Sequence, residues 1–327
     1  MLVVPPIPKA KNGEAINFGK INHIIKRTEY AAGLLEEFKL QEKIPGNIVG
    51  VSRDGFVFGS IINSNPFLFN GRSFSYFNYP YGFAAPRTIR GNLVLIDNSL
   101  YNTANGKVIE ILPPPALDFD GDIVVGAVQV GIGNDRGYIY NRKSKETTII
   151  SHPEYDRTRF SSIDKNTILG YASKFFIAPN AINEISFLYT IGSDPSKKSS
   201  YKTLYQYIYL GPNKYLPEIY PFRIRNGFLV GFYRTGATFI SGGVSELTAK
   251  AYYSTIGGQI QLLNLGNDSD LIQSFAYGIS KNFIAGTERD YSVNRDIGFV
   301  YNIKTEKKFV IKDPNKSSTL VTDIDIP

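Results

Sequence analysis

The sequence predicts an all-β fold: a β-propeller of about six blades, each of three to four antiparallel strands, with an N-terminal extended arm and a short α-helix. Three observations predict it. Two short strand motifs recur six times over residues 44–312. Tyr and Phe number 22 each beside 30 Gly and 18 Pro, a composition of strands and tight turns rather than helices. The spacing between copies varies, from 31 residues (Leu95 to Gly126) to 61 (Gly170 to Gly231), so strands are kept while loops differ.

The first motif is a polar turn entering a short apolar strand that usually ends in Gly. Its copies are GNIVG (46–50), GNLVL (91–95), DIVVG (122–126), TILG (167–170), GFLVG (227–231) and NFIAG (282–286). The second is a small residue followed by aromatic, apolar and aromatic residues: PFLFN (66–70), SLYN (99–102), GYIYN (137–141), SFLYT (186–190), AYYS (251–254) and GFVYN (298–302). A turn and an alternating strand follow, as in NTANGKVIEIL (102–112), NRKSKETTII (141–150) and NIKTEKKFVI (302–311).

One such unit cannot bury both faces, so neighbours must stack on it, and radial stacking leaves only short, protected edges. The strand-ending glycines are expected near the crowded axis. The C-terminal STLVTDIDIP (318–327) reads as one more strand, its DIDI resembling SIDK (162–165) and LDFD (117–120). It is expected to complete the first blade and fasten the ring. A two-domain β-sandwich is the competing architecture.

The chain divides into an arm at 1–43 and a propeller at 44–327. VVPPIPKAKNGEA is extended and Pro-rich, suited to a strap. A helix is expected from Asn17, where Phe18, Ile21, Ile25, Thr28, Ala32 and Leu35 step by 3 and 4. That spacing suits a coiled-coil seam for oligomerisation or attachment, with a trimer favoured, or equally an amphipathic helix docked on its own propeller.

Composition excludes several classes of function. Hydrophobic residues make up 43% and charged residues 20%, as in a globular protein. Without cysteine there is no disulfide, thiolate nucleophile or Cys-zinc site. The two histidines, His23 and His152, are expected as surface polar residues. The net charge of +7 comes from scattered bases, which points to no nucleic-acid partner. The start does not read as a signal peptide, and no apolar window reaches the ~20 residues of a membrane span.

The chemistry-bearing motifs are few. Asp118, Asp120 and Asp122 in DFDGD have the spacing that opens a calcium loop, but the twelfth position is Gln129 and a strand begins at once. Ordinary repeat turns occupy the same slot elsewhere, so no metal is assigned. GIGNDRG (131–137) precedes a strand rather than a phosphate-binding helix. ISGGVSE (240–246) lacks a nucleophile elbow. No catalytic residue and no cofactor is assigned. Aromatic loops are the binding candidates: Tyr76, Tyr79 and Tyr81 in FSYFNYPYGF, and Tyr201, Tyr205 and Tyr215 in SYKTLYQYIYLGPNKYLPEIYPF. Alternate rings in each stretch are expected in the core.

On these motifs the repeat resembles the HAF-type repeats of bacterial and phage extracellular proteins over about residues 44–312. INHIIKRTEYAAGLLEEFKL resembles the head segments of tailed-phage tail and fibre proteins, where a strap and helix attach a binding domain to the particle. The resemblance implies a non-enzymatic virion protein, such as a tail fibre or adhesin, on the host-facing surface. Its partners would be other virion proteins through the arm and host polysaccharide or lipopolysaccharide through the loops. The alternatives are a carbohydrate-active lyase or hydrolase, and a secreted extracellular binding protein.

Overall fold

The computed structural model describes, with side chains, residues 87–131, 134–174, 184–206, 219–234, 249–266, 272–293, 295–310 and 323–324. Strand backbone alone is described over 47–51, 57–60, 66–69 and 74–76 and at a few further strand ends. The predicted arm, with Phe18, Ile21, Ile25, Thr28, Ala32 and Leu35, lies outside the described residues.

The chain is an all-β propeller. Its first blade runs through Pro86–Arg90, Leu93–Ile96, Ser99–Asn102 and Lys107–Ile111, and its second through Ala116–Asp120, Ile123–Gln129, Asp135–Asn141 and Glu146–Ile150. The third comprises Arg157–Asp164, Thr167–Ser173, Ile182–Thr190 and Tyr201–Ile208. The fourth comprises Glu218–Arg225, Phe228–Thr235, Thr248–Thr255 and Gln261–Leu262, and the fifth Ile272–Ser280, Phe283–Asp290, Arg295–Asn302 and Lys307–Ile311. Each is a four-stranded antiparallel meander in chain order. The count of blades with described side chains is thus five rather than about six. Residues 47–76 form a further four-stranded sheet of the same order, known by its backbone pairing and lying beside the first strand of the first blade. Among the described residues the one helical segment is the short 3-10 turn Lys198–Ser200.

One irregularity recurs at the same place in every sheet. The first strand carries one extra residue opposite the second strand, at Val49, Arg87, Leu117, Ser161, Phe222 and Tyr277. Such a bulge bends the strand and re-aims the residues beyond it. It also explains the glycines. A Cβ on Gly126 would sit 2.1 Å from the Pro115 carbonyl oxygen, and one on Gly286 2.1 Å from that of Phe275. The glycines are therefore forced by the bulged strand beside them rather than by the axis itself.

The two sequence motifs prove to be cross-strand partners. Gly59 pairs with Phe67, Gly126 with Tyr138, Gly170 with Phe187, Gly231 with Tyr252 and Gly286 with Phe299. At Gly126, Gly170 and Gly286 the Tyr138, Phe187 and Phe299 rings lie against the bare glycine backbone, covering what the missing side chain would leave open. All six copies of the aromatic motif fall on third strands. One copy of the first motif is misplaced. GNIVG lies on the first strand of its sheet, and the true counterpart of the other glycine strands ends at Gly59.

The core lies in layers between consecutive blades. Leu95, Leu100, Phe119, Val124 and Tyr138 fill the first layer, and Val125, Ile139, Phe160, Ile168 and Phe187 the second. Leu169, Leu188, Ile224 and Leu229 fill the third, and Val230, Ala251, Ile279, Ile284 and Phe299 the fourth. Each fully buried ring or branched side chain contributes about 1.5–3 kcal/mol by leaving water. No blade could retain that contribution alone.

At the axis, a carboxylate ties the first strand of the second blade to that of the third, and a hydroxyl ties that of the third to that of the fourth. Ile163 N–H donates to Asp118 Oδ2 at 3.0 Å, and Ile224 N–H to Ser162 Oγ at 3.2 Å. The turns repeat the device: Lys165 N–H donates to Asp120 Oδ2 at 2.6 Å and Gly227 N–H to Asp164 Oδ2 at 3.0 Å. Asp323 and Ile324 of the C-terminal tail are fully buried in this ring, between Gly278 of the fifth blade and Ile89 of the first. The tail is expected to add a strand to the first blade; its two described residues instead bridge the fifth and first blades through a carboxylate. Among the described residues no strand ladder joins it to a sheet.

Candidate functional site

The meander sends its connections alternately to two ends of the ring, and the ends differ. At one end first and second strands are joined by two residues each, at 91–92, 121–122, 165–166, 226–227 and 281–282. Gly91, Gly121, Lys165, Asn226 and Lys281 there take the positive φ that such tight hairpins require. At the other end the described connections include 97–98, 112–115 and 151–156, and the sequence stretches that join the remaining strand ends there, 174–181, 209–217, 236–247 and 263–271, differ in length and in composition. Fixed strands with variable connections at one end are the usual layout of a binding surface.

The axis itself is filled. Asp118 and Asp323 are fully buried, and Arg90, Arg223 and Arg225 converge on them. Arg223 also donates to Thr88 Oγ1 at 2.7 Å and to the Tyr277 carbonyl at 3.1 Å, while Arg225 donates to the Ile324 carbonyl at 2.6 Å. Burial alone would raise the Asp118 pKa. Arg90, Arg223, the Ser162 hydroxyl and Arg225 outweigh it and hold the carboxyl below its ordinary value. A carboxylate so held has no proton to donate as a general acid. Its chemistry is that of a fastener.

At the variable end, a pocket of about 350 Å³ opens between the third and fourth blades. Arg157, Arg159 and Ser161 alternate along the first strand of the third blade and share one face of it. The bulge places Ser161 and Phe222 at equivalent positions in adjacent blades. Tyr171 and Ser173 come from the second strand and Glu184 from the third, with Tyr220 beside Phe222 on the far wall. Tyr171 donates its hydroxyl to the Pro221 carbonyl across the blade boundary, and burial raises its pKa.

The far wall is braced. Tyr220 stacks on Phe232 at 4.6 Å between centroids, and Phe222 on Tyr277 at 5.0 Å. Arg234 lies over both Tyr220 and Phe232. On the near wall, Arg159 donates from Nε to Asp135 Oδ2 at 2.7 Å. Rings that are packed and an arginine that is paired lose little further freedom when a ligand arrives.

The sequence-predicted binding residues lie elsewhere. Tyr201 is buried beside Phe187 and Tyr189, with its hydroxyl donating to the carbonyls of Pro195 and Ser151. Tyr205 is half-buried facing Tyr252 and Ser254 of the fourth blade, and burial raises its pKa. Tyr79, Tyr81 and Tyr215 lie outside the described residues, as does the side chain of Tyr76. The three aspartates weighed for calcium turn to separate partners: Asp118 to the axis, Asp120 to Lys165 N–H, and Asp122 to Lys143 at 2.8 Å. His152, expected at the surface, is buried against Tyr155, Phe187 and Tyr201, where its ring fills a layer between blades. Tyr220 and Phe222 end the aromatic stretch 200–222 that the sequence singles out, while the other pocket residues come from several strands of two blades and carry no local pattern.

No protein-family model and no curated protein matches the chain. Solved structures similar to it include TolB from Acinetobacter baumannii, at 10% identity and TM-score 0.46 over 85% of this chain and 66% of that one. Oligopeptidase B from Leishmania major is 7% identical, with TM-score 0.44 over 89% of this chain and 53% of that one. The β-propeller domain of the Trilobed protease from Pyrococcus furiosus is 12% identical, with TM-score 0.37 over 80% and 92%. The chain thus spans less than two thirds of the length of the first two. The fold assignment rests on the sheets and their bulges, and no activity carries over.

Proposed function

We propose that the chain is a binding protein, not an enzyme, and that it serves as a virion-associated component of a tailed bacteriophage, such as a tail fibre or adhesin. The variable end of the propeller takes a host-surface glycan or a neighbouring virion protein, and the arm at 1–43 holds it to the particle as part of a homo-oligomer. One observation carries the binding reading: the braced aromatic pocket lies at the end of the ring where most of the long, variable inter-strand stretches attach, while two-residue turns join first and second strands at the other, with 191–200 the one long connection there among the described residues. The particle assignment draws its support from the resemblance of the 21–40 segment to phage attachment helices.

The non-enzymatic reading is supported by the axis, where distant blades could have brought two carboxylates together for glycoside cleavage. Asp118 and Asp323 do meet there, both within ion-pair range of Arg223 Nη1, but they are locked to arginines and backbone N–H groups.

The test is direct. An antibody to the chain should label purified particles, and the full chain should sediment with the cells on which the particle propagates without releasing new reducing ends. Absence of label from particles refutes the virion assignment, and new reducing ends or unsaturated sugars refute the non-enzymatic one.

A further inference from the structure

We infer that the pocket between the third and fourth blades is a subsite for one uncharged pyranose unit of a glycan, a deepening that rests on the glycan-binding reading above. At about 350 Å³ the pocket lies at the lower end of the ~300–1,000 Å³ typical of ligand sites, room for a single sugar ring rather than a chain. Its far wall is aromatic, and an aromatic face matches the apolar C–H face of a pyranose. Tyr220 and Phe222 are already stacked on Phe232 and Tyr277, so the wall is in place before the sugar.

The near wall supplies hydrogen bonding of both kinds. Sugar hydroxyls donate and accept at once, and the pocket offers carboxylate acceptors at Glu184, guanidinium donors at Arg157 and Arg159, and hydroxyls at Ser161 and Ser173. The charge decides the class of sugar. On the near wall Arg157 and Arg159 are matched by Glu184 and by the Asp135 carboxylate bound to Arg159, so the formal charges of that wall cancel, while Arg234 lies over the Tyr220 and Phe232 rings. A uronate or sugar phosphate gains no net attraction from the near wall, and a neutral ring has the advantage there.

Saturation-transfer NMR on the full chain tests this with the methyl glycosides of glucose, galactose and mannose, and with galacturonate as the charged counterpart. Transfer to the ring C–H protons of at least one neutral glycoside is expected, at higher affinity than galacturonate. Glu184→Gln and Tyr220→Ala should each weaken it about tenfold, the factor that corresponds to about 1.4 kcal/mol. Glu184→Gln keeps the side-chain shape, so it remains informative if Tyr220→Ala does not fold. Lys143→Ala, at the opposite end, should leave affinity unchanged.

Transfer from none of the neutral glycosides at tens of millimolar, or preference for galacturonate, would overturn the inference. So would unchanged affinity in both pocket variants. If the pocket variants still sediment with cells as well as the parent does, the pocket assignment fails while adhesion stands. If the parent itself does not sediment with cells, the adhesive reading fails on its own terms.

Discussion

Asp323 Oδ2 accepts the Ile89 N–H at 3.0 Å, and Asp118 Oδ2 accepts the Ile163 N–H at the same distance one and two blades further round. Each aspartate also caps the residue after it through Oδ1, Ile324 at 2.8 Å and Phe119 at 2.9 Å. The tail residue thus plays the part of a blade residue. A stretch of chain that ends the sequence is built into the ring as one more first-strand position.

Removing that carboxylate should cost more than an ordinary surface change. Asp323→Ala leaves Arg223, Arg225 and the Ile89 N–H buried without their shared acceptor, and breaking one partner of a buried ionic network costs about 3–5 kcal/mol. Urea unfolding should show a loss of that order, against less than about 0.5 kcal/mol for Lys143→Ala on the exposed pair with Asp122.

Gly278 should be sensitive for the same reason. A Cβ there would lie 2.7 Å from the Asp323 Cα and from its Oδ1. Gly278→Ala is expected to destabilise by about 1–3 kcal/mol, as overpacking does, and to remain harmful in a chain that carries Asp323→Ala, because the Asp323 Cα and the Ile324 backbone nitrogen at 2.9 Å stay in its way. Urea unfolding of Gly278→Ala at parent stability would show that the tail does not pack there.

The bulge glycines give a second stability test. Gly126→Ala drives a methyl into the Pro115 carbonyl and the Tyr138 ring, at 2.1 and 2.7 Å, so it should cost about 1–3 kcal/mol. Thermal unfolding reads this as a lower Tm for Gly126→Ala than for the parent.

His152 sets a pH dependence. Desolvation lowers its pKa below the ordinary histidine value, with Lys198 adding to the effect and Glu154 opposing it. The unfolded chain therefore binds the proton first as pH falls. The stability associated with the neutral ring is present above the unfolded pKa of about 6.5 and is lost as pH drops below it. Between about pH 7 and pH 5 the parent Tm should fall more steeply than that of His152→Phe, which keeps an aromatic ring in the layer and cannot titrate. Parallel slopes would remove His152 from the account.

Much of this fold was legible because its motifs are physically coupled. A glycine and an aromatic ring recur together since one covers the other across the ladder, as Gly170 and Phe187 do. The DIDI and LDFD likeness was legible because both carry the carboxylate that ties to the next strand. The first repeat was misread because GFVFG (55–59) satisfies the aromatic pattern and the glycine pattern at once. The site was less legible. Tyr201 and Tyr205 looked like a loop surface, but both lie on a strand, and the extra residue at Leu204 breaks its alternation, so Tyr201 turns inward and Tyr205 toward the neighbouring blade. Arg157, Glu184 and Phe222 meet only because two blades stand side by side, and no local pattern records that.

The ring closure can be read at one amide. Hydrogen–deuterium exchange resolved at Ile89 should show a slow N–H in the parent that becomes fast in Asp323→Ala, while the Ile163 N–H, held by Asp118, keeps its rate. An Ile89 amide that exchanges rapidly in the parent, or that is indifferent to residue 323, would contradict a propeller fastened by its own tail.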